Sequence, residues 1–158
     1  VFNLSKPAIP MSAYRDITAF KLYAFDCGIL RRLARLSPEI MLTGHTGYME
    51  FKGAIAENAV LQSLVTQFDE MPHYWASENR AEVDFILQTS KGIVPVEVKS
   101  ESRVSGKSLS VFYSKFAPEL RVRFSMNNLK QDQGFINIPV FLADWTNRLI
   151  NKGYENLS

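Results

Sequence analysis

The chain reads as an α/β protein, a mixed central sheet flanked by helices, with a core order of helix, strand, strand, strand, helix, strand. Two observations predict this. "HYWAS", "EVDFILQ" and "IVPVEVKS" are three consecutive apolar runs with strand alternation, separated by short polar turns. Segments of helical spacing lie on either side of them, at 51–68 and at "KSLSVFYSKF", the second ended by Pro118. An apolar share of 46% against 22% charged residues in 158 residues fits one domain with its own core, and no run is long enough to span a bilayer.

In order along the chain, "FKLYAFD" alternates and reads as a strand. Asp26 then caps a helix "CGILRRLARL", stopped before Pro38. Residues 37–50 carry turn formers and read as a loop. After the helix at 51–68 and the three strands, a polar loop leads to the second helix. "LRVRFSM" and "FINIPVFLA" are further strands, the last placed at an edge by Pro139. Asp144 is the expected cap of a short terminal helix. We treat 1–158 as a single domain, with 1–50 an accessory segment and 51–143 the core. The chain opens on Val1 and becomes extended almost at once, the expectation for a fragment of a longer protein. A lone Cys27 and the lack of a signal-like start point to the reducing cytoplasm and no membrane, so the N-X-S triplets at Asn3 and Asn156 are chance matches.

The central hairpin carries charges where buried strands usually have none. Alternation puts Val83, Phe85 and Leu87 on one face of the first strand, and Glu82, Asp84 and Ile86 on the other. In the second, Val94, Val96 and Val98 share a face opposite Ile93, Pro95, Glu97 and Lys99. A tight turn near Ser90 and Lys91 sets Asp84 opposite Glu97, with Cβ atoms about 5 Å apart. Two carboxylates that close repel unless a proton or cation intervenes, and a hard divalent cation suits oxygen donors. In the preceding helix Asn58, Gln62 and Thr66 make a polar face, while Glu57 falls with Gly53, Leu61, Leu64 and Phe68 on the apolar stripe. A third carboxylate therefore faces the sheet.

Net charge is only +2, yet residues 99–130 hold seven basic residues against Glu101 and Glu119. Such a surface attracts phosphates. Tyr74 and Trp75 are read as core aromatics rather than base-stacking platforms. "SGKS" at 105–108 imitates the end of a phosphate-binding loop, but that pattern needs glycine where Glu101 stands. His45 and His73 lack metal-ligand spacing and are read as surface or satisfied residues.

The constellation resembles the PD-(D/E)xK nuclease-like superfamily, whose motif is an Asp ending one strand, (Asp/Glu)-x-Lys on the next and a Glu on the first helix. More narrowly, "FKLYAFDCGIL", "KGAIAENAVLQSL", "YWASENRAEVDFIL" and "VPVEVKS" resemble an uncharacterised domain found C-terminal to the ATPase module of prokaryotic AAA+-type ATPases. Val83 stands where the motif has proline. The resemblance implies a restriction-endonuclease-like fold and an ATPase module in the same parent chain. It also implies Mg²⁺ (or Mn²⁺) held by Asp84 and Glu97, a carbonyl near Val98, and Glu57. Lys99 would position water or stabilise phosphate charge, and Arg103, Lys107, Arg121 and Arg123 would contact the nucleic-acid backbone, DNA being the expected form. The leading expectation is Mg²⁺-dependent phosphodiester hydrolysis. The alternatives are a catalytically inactive module that binds nucleic acid or protein and targets the ATPase, and a purely structural or oligomerisation domain.

Overall fold

In the computed structural model, which describes residues 1–37, 39, 46–77, 81–100 and 106–157, eight strands form one mixed sheet. The chain begins with β1 (Phe2–Leu4), a 3-10 turn at Met11–Tyr14 and β2 (Arg15–Phe20). Helix α1 (Cys27–Leu33) and the long α2 (Thr46–Leu64) follow. Next come β3 (His73–Ala76), β4 (Glu82–Thr89), β5 (Gly92–Val98) and α3 (Lys107–Phe116). The chain closes through β6 (Arg121–Ser125), β7 (Lys130–Asp132), β8 (Phe135–Pro139), a 3-10 stretch at Val140–Trp145 and α4 (Thr146–Glu155). Strand order is β2-β1-β3-β4-β5-β6-β8-β7. The β3–β4–β5 pairings are antiparallel, and β5–β6–β8 are parallel, as a crossover through α3 requires.

The sheet is covered on both faces, which is why its central strands tolerate apolar residues in nearly every position. On one face Val60, Leu61 and Leu64 of α2 and Ile150 of α4 pack against Phe85, Val96 and Phe124. On the other, Leu109 and Phe112 of α3 pack with Leu4, Met11, Trp75, Val83 and Ile86. Trp75 stands edge-on to Phe112 and Phe116, with ring centroids 5.3 and 5.4 Å away, so it is a core residue as expected.

The predicted core order is present as α2, β3, β4, β5, α3, β6. Asp26 caps α1 as predicted, accepting from the amides of Gly28 at 2.7 Å and Ile29 at 3.1 Å. Several local readings change. The strand assigned to "FKLYAFD" lies earlier, over Arg15–Phe20, and residues 21–24 run outside any strand. The loop at 37–50 gives way to helix from Thr46, and α2 stops at Leu64 instead of 68; residues 38 and 40–45, with His45, lie outside the described residues. Pro139 does not mark an edge, because β7 pairs outside β8. It is tolerated because β7 reaches only Phe135, Ile136 and Asn137 and leaves the end of β8 unpaired on that side. Asp144 does not cap α4; instead the Thr146 hydroxyl donates to the Ala143 carbonyl at 2.6 Å. His73 is buried, with Nδ1 2.8 Å from the Met71 carbonyl oxygen.

Two irregularities interrupt the sheet. In the β3–β4 ladder His73 pairs with Ile86 but Trp75 with Val83, so β4 carries an extra residue at Asp84–Phe85. At the sheet's outer end β2 is bulged against β1, and Asp16 Oδ1 accepts from both the amide and the hydroxyl of Thr18, at 2.9 and 2.7 Å.

Candidate functional site at the fork of the central hairpin

The β4–β5 ladder runs from Thr89↔Gly92 to Phe85↔Val96, and one step further brings Asp84 beside Glu97, the register expected from the turn. Regular pairing ends there. Asp84 Oδ2 takes the amide of Val98 at 2.7 Å, so the carboxylate sits in the mouth where the two strands part. The extra residue in β4 releases Asp84 from strict alternation and turns Val83 to the face of Ile86. Burial, then the nearby charge of Glu57, push the Asp84 carboxyl up to about 7; the Val98 amide, Lys99 and Lys21 only partly oppose them.

Glu57 reaches this mouth from α2, where it is half-buried next to Asn58, Val60 and Leu61. Its Oε2 accepts from the Tyr23 hydroxyl at 3.2 Å. Burial and the Glu57 charge in turn drive the Tyr23 phenol far above its ordinary pKa. Lys21 ion-pairs with Glu82 and lies 5.1 Å from the centre of the Tyr74 ring. Burial lowers the Lys21 ammonium, but the hydrogen bond and charge of Glu82, with the charges of Glu57 and Asp84, together outweigh it and hold the pKa above the usual lysine value.

Glu97 lies on the α3 side of β5, opposite Val96 and Val98, and is 1% exposed. It is held between two cations. Lys99 Nζ is 3.1 Å from Oε1, and Arg123 Nε is 3.5 Å from Oε2 in the neighbouring register position of β6. The Arg123 contact is an ion pair without hydrogen-bond geometry, since both of these buried atoms lack a hydrogen-bond partner.

The four predicted residues therefore form two linked groups. Asp84 feels the charge of Glu57, Glu97 is paired with Lys99, and Lys99 acts electrostatically on Asp84. The carboxylate that raises the proton affinity of Asp84 is Glu57, more than the facing Glu97 that strand pairing suggests. Among the described residues no three of His, Cys, Asp and Glu gather into a group that could hold a metal. The donor set fits a divalent cation in part. A cation would offset the burial of Asp84 and the charge of Glu57 acting on it, whereas Glu97 already has Lys99 and Arg123.

Of the expected backbone contacts, Lys107 is exposed at the start of α3. Arg121 stacks 4.2 Å from the Tyr113 ring centre. Arg123 is only 14% exposed and also lies 5.0 Å from the centre of the Phe135 ring, so it works chiefly inside the protein. Arg103 lies outside the described residues. The sequence reading missed Tyr23, Lys21 and the pairing of Arg123 with Glu97. The last had a signal: Arg123 and Glu97 are both charged residues at inward positions of neighbouring apolar strands.

No helix among the described residues is long and apolar enough to cross a membrane. No curated protein and no solved structure matches the chain. One family, described as a domain of unknown function (DUF4143), matches residues 52–142, a span that includes Glu57, Asp84, Glu97, Lys99 and Arg123 but not Lys21 or Tyr23. With more than half of its length matched, from within α2 to the 3-10 stretch after β8, the chain belongs to the DUF4143 family.

Proposed function

We propose that this chain is a nuclease-like, nucleic-acid-handling module of a cytoplasmic AAA+-type ATPase, acting at the fork of the β4–β5 hairpin. The observation that carries this reading is the buried Asp84 carboxyl, hydrogen-bonded at the fork and acted on by the charges of half-buried Glu57 and of the half-exposed Lys99 ammonium. Asp84 and Glu57 would hold Mg²⁺ or Mn²⁺, with Glu97 as a further donor once freed from its cations. Bound there, the ion supplies an acidified water for phosphodiester attack. Glu97 steadies Lys99 so that its charge faces an incoming phosphate, and Lys107 extends the positive surface toward the nucleic-acid backbone. The DUF4143 assignment and the ordered resemblance of four segments to ATPase-linked domains support the ATPase partner.

Calorimetric titration of the chain with Mg²⁺ and Mn²⁺, paired with cleavage assays on single- and double-stranded DNA and RNA, tests this reading. Lys99→Ala is expected to keep the fold, because Arg123 still faces Glu97, and to cut cleavage by about 10²–10³-fold. Cleavage that survives Asp84→Asn would point to a contaminant and end the proposal. Nucleic-acid affinity should also fall steeply as salt rises from 50 to 200 mM, roughly in proportion to the number of phosphates contacted. Salt-indifferent binding counts against a nucleic-acid partner.

A second reading, a catalytically silent module that targets the ATPase, is favoured by one specific observation. The Glu97 carboxylate is already neutralised by Lys99 and Arg123. Nucleic-acid binding with no cation uptake and no cleavage would decide for it.

A further inference from the structure

Residues 21–27 lie upstream of the matched span 52–142, yet they start at the hairpin fork and run along α2. The polar stripe of α2 explains how. Asn58 and Gln62, read from sequence as part of a polar face, form a track for this segment. Asn58 is 1% exposed and its Oδ1 takes the Ala24 amide at 2.8 Å. Gln62 Oε1 takes the Cys27 amide at 3.2 Å, and Gln62 Nε2 donates to Asp26 Oδ2 at 3.4 Å. Residues spaced four apart on a helix share one side, so these bonds fix the segment at two successive turns of α2. Between that track and the sheet, the Tyr23 ring rests 5.8 Å from the centre of the Phe85 ring, and its hydroxyl ends on Glu57.

We infer that Tyr23 is a positioning residue of the candidate site: the strap 21–27 carries its hydroxyl to Glu57 and holds that carboxylate toward Asp84. The inference rests on reading Glu57 as a site carboxylate. A tyrosine suits the task. Its ring is anchored by apolar contact, its rigid body has few torsions, and its single O–H fixes one carboxylate oxygen while leaving the other free. Partners of this kind, which orient a ligating carboxylate from outside, commonly change metal affinity by 10–100-fold when removed.

Tyr23→Phe isolates the hydroxyl, because the ring can stay on Phe85. In the full chain we expect the melting temperature to move by about 4 °C or less. The side-chain carboxyl ¹³C resonance of Glu57 should shift, and the dissociation constant for Mn²⁺ should rise about tenfold. A merely structural tyrosine would alter melting without altering Mn²⁺ affinity. An unmoved Glu57 resonance, or equal Mn²⁺ affinity in a wild type that binds the ion, overturns the inference and leaves the proposed function standing. A wild type that takes up no Mn²⁺ overturns the metal reading, and the positioning role falls with it. Should Tyr23→Phe fail to fold, Glu57→Gln provides the reciprocal check: the ring ¹³Cζ resonance of Tyr23 must shift, and Mn²⁺ affinity must drop at least as far.

Discussion

Asp84→Asn is expected to stabilise the metal-free protein at pH 8 by roughly 4 kcal/mol, the equivalent of about three pKa units at 1.36 kcal/mol each. Asp84 is buried, and its carboxyl is raised from an ordinary 3.8 to about 7. The folded state thus holds a proton that the unfolded chain has lost. Stability is full below about pH 4 and declines as pH rises through 7, where Asp84 ionises inside the protein. Asparagine keeps an oxygen for the Val98 amide and removes the ionisation. Urea unfolding of both forms at pH 8 and pH 4 reads the effect, and the gap should close at the lower pH. On the proposed metal reading, saturating Mg²⁺ should narrow or reverse the gap at pH 8, because only the wild type would gain binding energy from the ion. A gap independent of pH would show that ionisation of the buried Asp84 is not the source.

The second large effect is expected at Arg123. Arg123→Ala removes one of the two counter-ions of a carboxylate that is 1% exposed and leaves its buried Oε2 without a cation. Stripping one partner from a buried ion pair costs about 3–5 kcal/mol, and with Lys99 still at 3.1 Å the lower end applies. Glu97→Gln in the Arg123→Ala background should recover much of the loss, since a neutral amide needs no counter-ion. Urea midpoints for the two single variants and the double variant measure this coupling. Additive losses would show that the 3.5 Å contact carries no energy.

Where the sequence was legible, local rules and burial agreed. The hairpin register followed from a two-residue turn, and Asp26 announced α1. The core order emerged because β4, β5 and β6 are apolar over lengths that only a covered sheet accepts. The misreadings have particular causes. Strict alternation groups Val83 with Phe85 and Leu87, but the extra residue in β4 reverses the parity at that point, and only its pairing with β3 reveals this. β1 and β7 are three residues each, too short for a periodic signal. Asn58 and Gln62 look like a solvent face because the backbone amides they satisfy lie more than thirty residues upstream. Glu57, Asp84, Glu97 and Lys99 stood out in the sequence by residue type, strand parity and the helical wheel. Their division into two groups was not, because it depends on Arg123 and Tyr23, which arrive from distant segments.

The two ends of the sheet bear on how copies of this domain meet at high concentration. An outer strand with a straight row of free amides and carbonyls invites another chain to add on. At one end the Asp16–Thr18 turn and the bulge against β1 break up that row. At the other, β7 offers three exposed residues, two of them the charged pair Lys130 and Asp132. Neither rim is a good template for strand addition. Self-association through extended sheets, and the fibrous aggregates that follow from it, are therefore disfavoured, and assembly is left to side-chain surfaces and helices.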